Sequence, residues 1–146
     1  MSFHYELKWH PELGKKYRIV SGLSNKMALD VSQNPKDKNN LIIWENNGGD
    51  NQRFFFTHLG GNRYAMFSAK NNQIIEVAGD NEGNGARLTC GHQNKKASEY
   101  IEFIPANFNG LSTAFYLKTF CCKAVEVSGG QVTNEAHVVQ QDYTGK

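Results

Sequence analysis

Short runs of apolar residues, interrupted by Gly- and Asn-rich turns, recur along this chain in a set order. Three segments match one another: Ala28-Leu29-Asp30-Val31, Ile74-Ile75-Glu76-Val77 and Ala124-Val125-Glu126-Val127. Each reads apolar, apolar, acidic, Val, and the acids are 46 and 50 residues apart. Upstream of each lies a strand-like run: Tyr17-Arg18-Ile19-Val20, Tyr64-Ala65-Met66-Phe67 and Phe115-Tyr116-Leu117-Lys118. A polar turn separates the two runs, clearest in SGLSNK and SAKNNQ, so each pair predicts a β-hairpin. Downstream come a turn-rich loop and a further apolar run, at 41–44, 87–90 and 137–140. A fourth strand follows at 53–56 and 100–103, whereas the third repeat reaches Lys146 before one appears.

The missing strand has a candidate at the other end of the chain. Phe3-His4-Tyr5-Glu6-Leu7 alternates apolar and polar and precedes Tyr17 as Phe54-Phe55-Phe56 precedes Tyr64. Twelve strands in three equivalent units would close a small barrel with hairpins capping one end, which removes free sheet edges. The expected class is therefore all-β, a single domain over 1–146, with the N-terminal strand completing the third repeat. Phe54, Phe55 and Phe56 read as core strand residues.

Composition narrows the function. A net charge of +2, evenly spread, does not suggest nucleic acid as the partner. No apolar segment approaches membrane-spanning length, and MSFHYELKWHPELG lacks the apolar run of a signal peptide. The expected location is cytoplasmic, or outside the cell after release without a signal peptide. Three cysteines, Cys90, Cys121 and Cys122, are odd in number with two adjacent, and read as reduced thiols rather than a disulfide framework. Cys90 and His92 are too short and isolated a pair for zinc, and the other histidines are scattered. No nucleophile elbow, P-loop or dinucleotide fingerprint is present, so neither cofactor nor metal is expected. The candidate acids for glycoside hydrolysis lie one per repeat rather than as a facing pair, so no enzyme is expected.

The chemistry concentrates at 30–52, DVSQNPKDKNNLIIWENNGGDNQ. Asp30 can accept hydrogen bonds from two vicinal hydroxyls, and Trp44 offers a flat face to the C–H side of a pyranose. Asn51 can donate and accept at the rim, and Gln52 can hold Asp30 in place. Weaker sites are expected in repeat two at Glu76, with His92 or Tyr100 as the ring, and in repeat three at Glu126 with Tyr143. Counting along the repeats puts Cys90 and Gln140 where Trp44 stands, and Ala97-Ser98 where Asn51-Gln52 stand. Alternation does not settle which face of its strand Trp44 occupies, because Leu41, Ile42 and Ile43 all precede it.

Over nearly its whole length the chain resembles the ricin B-type β-trefoil lectins. The likeness is carried by the triple recurrence and by repeat one, YRIVSGLSNKMALDVSQNPKDKNNLIIWENNGGDNQRF, with Gln52-Arg53-Phe54 in place of the family's Gln-x-Trp. The resemblance implies non-catalytic binding of galactose or N-acetylgalactosamine on glycoproteins or glycolipids. It implies sugar contacts from Asp30, Trp44 and Asn51, with Gln52 structural. With one well-formed site per chain, a homodimer is the simplest route to crosslinking glycans and hence to hemagglutination. The alternative is a trefoil that binds protein through its loops, as a protease inhibitor or toxin-like adaptor; the connector at 105–113, with Phe108, is the candidate loop. A structural trefoil with degenerate sites is the third reading. If the N-terminal strand completes the barrel, removing residues 1–13 unfolds the domain; a truncated protein that melts like the parent would refute this.

Overall fold

The computed structural model describes residues 11–21, 24–91, 93, 97–105 and 115–143. The expected strand at 3–7, His92 and most of the 105–113 connector, Phe108 included, lie outside the described residues.

Eleven strands are described, in three repeats. Repeat one holds β1 (Val20–Ser21), β2 (Ser24–Val31), β3 (Leu41–Glu45) and β4 (Phe54–Gly60). Repeat two holds β5 (Arg63–Ser68), β6 (Ile74–Val77), β7 (Leu88–Gly91) and β8 (Ile101–Pro105). Repeat three holds β9 (Phe115–Lys118), β10 (Ala124–Val127) and β11 (Val138–Gln141). All pairings are antiparallel: β2 lies between β1 and β3, β6 between β5 and β7, and β10 between β9 and β11. This is a β-trefoil, and each of the three expected hairpins is present.

The alternation in the sequence becomes two faces. Leu29, Val31, Leu41, Ile43, Phe54, Phe56, Met66, Ile75, Val77 and Leu88 meet in one core. Phe55 points the other way and stacks on Phe67, with ring centroids 5.1 Å apart. Of the three free thiols, Cys90 is a core residue, Cys121 half-buried and Cys122 exposed. Burial pushes the Cys90 thiol up to about 12, against a hydrogen bond from Asn71.

The repeats are locked in a cycle. Each hairpin loop hydrogen-bonds the third strand of the next repeat. Cys90 N–H donates to Asn39 O (2.8 Å), Gln140 N–H to Ala86 O (2.9 Å), and Ile43 N–H to Ala136 O (3.0 Å). Single bridges repeat the order: Asn40 with Thr89, Arg87 with Val139, His137 with Ile42. The pairings make Asn40, Arg87 and His137 equivalent, each one residue before the core residue Leu41, Leu88 or Val138. Asp37 joins all three. Its Oδ1 accepts from Arg87 Nη1 at 2.6 Å, its Oδ2 lies 3.6 Å from His137 Nε2, and Asn40 hydrogen-bonds to it as well.

Hydrogen bonding and charge from Arg87 hold the Asp37 carboxyl below the ordinary 3.8. Its contribution to stability is complete above that value and is lost as the pH falls through the lower folded-state pKa. Asp37→Ala is expected to destabilise the fold by about 1–3 kcal/mol, the worth of a charged hydrogen bond lost from a half-buried arginine. Thermal melts of the two proteins at neutral pH check this, and the difference should shrink at pH values below the Asp37 transition.

Candidate functional site

Asp30 lies on β2, whose pairing with β3 sets Leu29 against Ile43, Asp30 against Ile42, and Ala28 against Trp44. Leu29, Val31, Leu41 and Ile43 face the core. Cross-strand partners share a face, so Ala28, Asp30, Ile42 and Trp44 all lie on the opposite, outward face. Trp44 is half-buried there, on the same side of the sheet as the carboxylate.

Asp30 is 3% exposed, and Gln52 is fully buried. Asn51 Nδ2 donates to both Asp30 oxygens at 3.0 Å, and Gln52 Nε2 donates to Oδ2 at 2.9 Å. Gln52 also ties down the closing turn: its Nε2 donates to Glu45 O (2.8 Å), and its Oε1 accepts from Asn47 N–H (2.9 Å). The Asp50–Gln52 3-10 turn puts Asn51 and Gln52 on consecutive positions facing the carboxylate. Burial pushes the Asp30 carboxyl above the ordinary 3.8, and the Gln52 and Asn51 amides pull it partly back. A carboxylate offers about four lone-pair directions, and among the described residues these three bonds leave one, on Oδ1, for an incoming donor. Arg18 Nη1 donates to Asn46 Oδ1 at 3.0 Å, so a guanidinium braces the closing turn.

The other repeats differ. Ile75 pairs with Cys90, and Ile74 with Gly91, so Gly91 is the equivalent of Trp44 and Cys90 that of Ile43. In repeat three Ala124 pairs with Gln141, and Val125 with Gln140, so Gln141 rather than Gln140 takes the Trp44 place. Trp44 follows its acid by 14 residues, whereas Gly91 and Gln141 follow theirs by 15. The first repeat's loop is one residue shorter, and counting by its spacing lands on the wrong face. The Ala97–Glu99 3-10 turn likewise puts Ser98 and Glu99, not Ala97 and Ser98, in the places of Asn51 and Gln52.

Glu76 occupies the room that a ring would need: a Cβ on Gly91 would sit 2.5 Å from Glu76 Oε1. Tyr100 is engaged elsewhere, with the Arg63 guanidinium 4.5 Å from its ring centroid. Glu126 is exposed on β10. Tyr143 stacks on Tyr116 with centroids 4.0 Å apart, leaving about half its surface open. Among the described residues no group of three or more His, Cys, Asp or Glu is placed to hold a metal, and no helix is long and apolar enough to cross a membrane.

Three hairpins closed in a cycle make a trefoil, and its first repeat sets an amide-held carboxylate and an indole on one outward face. The profile of the ricin-type beta-trefoil lectin domain-like family matches residues 4–91, and the chain belongs to that family. No curated protein matches the chain. Among solved structures, the designed threefold-symmetric protein ThreeFoil is 22% identical with a TM-score of 0.79, covering 90% of this chain and 91% of its own. The ricin B-like lectin of Macrolepiota procera, solved in complex with lactose, is 20% identical with a TM-score of 0.74, covering 93% and 91%. An exo-beta-1,3-galactanase from Clostridium thermocellum matches at 18% identity and a TM-score of 0.78, but over 29% of its own chain. Such trefoils thus occur alone and as parts of enzymes.

Gln52→Ala is expected to cost about 2–3 kcal/mol, because it strips a donor from a buried carboxylate and unties the turn. Chemical denaturation checks this, and a loss below half a kilocalorie would show the network to be dispensable.

Proposed function

We propose that this domain is a lectin for galactose- or N-acetylgalactosamine-type glycans, bound at Asp30, Trp44, Asn51 and Gln52. One observation carries the reading: a nearly buried carboxylate, held by two amides, shares an outward face with a half-buried indole. The sugar's apolar side stacks on Trp44. Asp30 Oδ1 takes a hydroxyl hydrogen, Asn51 supplies a rim contact, and Gln52 keeps the carboxylate from turning. The role is binding without catalysis.

Repeats two and three contribute less. Glu76 has no ring at Gly91, and Glu126 has Tyr143, stacked on Tyr116, as its candidate ring. A shallow site of this kind binds with a Kd on the order of millimolar to tens of micromolar, so function on glycoproteins or glycolipids calls for more than one site per particle, most simply a homodimer that agglutinates cells.

Asp30→Ala is expected to abolish retention on immobilised galactose while the circular-dichroism spectrum stays that of the parent. Unchanged retention would remove the assigned site. The parent's retention is expected to decline as the pH falls through the Asp30 pKa, which lies above 3.8, because the protonated carboxyl loses acceptor strength.

A further inference from the structure

An asparagine followed by glycine can react with its own chain, because glycine puts no side chain in the way of its backbone nitrogen. The sequence holds three such pairs, Asn47-Gly48, Asn84-Gly85 and Asn109-Gly110. The last lies outside the described residues. The first sits in the turn that closes repeat one, the second in the loop between β6 and β7, and the fold treats them oppositely.

Asn84 is clamped. Its Nδ2 donates to Asp142 Oδ2 at 3.0 Å, and its Oδ1 accepts from Asp142 N–H at 2.9 Å. Lys123 Nζ donates to the other oxygen of that carboxylate at 2.7 Å. Gly85 N–H is engaged as well, by Gln140 O at 2.8 Å. Asn47 is poised instead. Its Oδ1 accepts from Gly49 N–H at 2.9 Å, which folds the side-chain carbonyl back over the 47–48 peptide and draws electron density from its carbon. Among the described residues neither Asn47 Nδ2 nor Gly48 N–H has a hydrogen-bond partner. Asn47 is exposed, Gly48 has φ +71°, and a Cβ on Gly48 would meet nothing within 4 Å beyond its chain neighbours. Electrophile, nucleophile and leaving group therefore stand together, open to water.

We infer that Asn47 is a site of spontaneous deamidation, and that the change loosens the turn holding Asn51 and Gln52 against Asp30. Solvent base takes the Gly48 N–H proton, and the nitrogen attacks Asn47 Cγ to close a cyclic imide. The Cγ–Nδ2 bond breaks, and the amide leaves as ammonia, taking a proton from water. A water molecule then opens the imide at either carbonyl. One product is aspartate. The other is isoaspartate, whose main chain runs through the former side chain and is longer by a methylene. That methylene falls inside the loop closed by the bond from Asn47 N–H to Gln52 Oε1, so Asn51 and Gln52 lose their register against the carboxylate. Either product also adds a charge to a turn that already carries Glu45 and Asp50. The effect on binding rests on the lectin reading above; the modification does not.

The test is incubation of the native protein at mildly alkaline pH, followed by peptide mapping in a mass spectrometer. The Asn47 peptide is expected to exchange amide for acid at least roughly tenfold faster than the Asn84 peptide, the factor for breaking the hydrogen bonds that clamp the latter. In denaturant, which releases the clamp, the two rates should converge. Asp142→Ala is expected to speed the reaction at Asn84 and leave that at Asn47 unchanged. As isoaspartate accumulates, retention on immobilised galactose and the melting temperature are both expected to fall. Asn47→Ala, which cannot form the imide, is expected to keep the values it has when fresh. A native rate at Asn47 equal to or below that at Asn84 overturns the assignment. Conversion that leaves retention unchanged in a parent that binds galactose, or melting temperature unchanged in one that does not, overturns the coupling to the Asp30 site. Failure of the fresh parent to bind galactose overturns the galactose reading alone, since the peptide map and the melt still decide this inference.

Discussion

The clasp between neighbouring repeats is the constraint on which the rest of the molecule depends. A single hairpin of four- or five-residue strands cannot bury its apolar face alone. Here each hairpin gains its third edge from the loop of the preceding repeat, and the cycle closes when the 134–136 loop pairs with β3. At the centre, Asp37 gathers Asn40, Arg87 and His137, the corresponding residues of the three repeats. The Nε of Arg87 is buried without a partner among the described residues, so the contacts of its terminal nitrogens carry the compensation for burying that charge.

The candidate site inherits this geometry. Asp30 and Trp44 come from one pair of strands, and Asn51 and Gln52 from the turn that leaves it. Burying the carboxylate raises the cost of its charge, and the amides of Asn51 and Gln52 offset part of that cost while fixing its direction. The three repeats keep the acid but not its setting. The Trp44 position becomes Gly91 and Gln141, and the buried Gln52 becomes the buried Glu99. A carboxylate cannot donate as an amide does, so repeat two does not reproduce the support that Asp30 receives. Sequence divergence has thus left one repeat with the full constellation on a threefold scaffold.

Much of the fold was legible because its signals are local. Period-two alternation around Leu29, Ile75 and Val125, polar turns between the paired runs, and the recurrence of an acid before Val are all readable within a dozen residues. Asp30, Asn51 and Gln52 were legible together for the same reason, since one repeat contains them all. The face of Trp44 was not. Leu41, Ile42 and Ile43 are each no more than 3% exposed, so both sides of that strand are buried and alternation carries no information there. The misplaced equivalents, Cys90 and Gln140, followed from a single residue of loop length, which reverses a side chain without altering the local pattern.

By itself, then, the sequence determined three β-hairpins, their internal threefold relation and one carboxylate-and-amide set, because hydrophobic periodicity and turn chemistry act between near neighbours. Only the tertiary structure decided that Trp44 faces outward, and that Gly91 and Gln141 stand where the other repeats would place a ring. Those outcomes depend on the register of paired strands, which one residue of loop length shifts to the other face and which no local pattern of residues encodes.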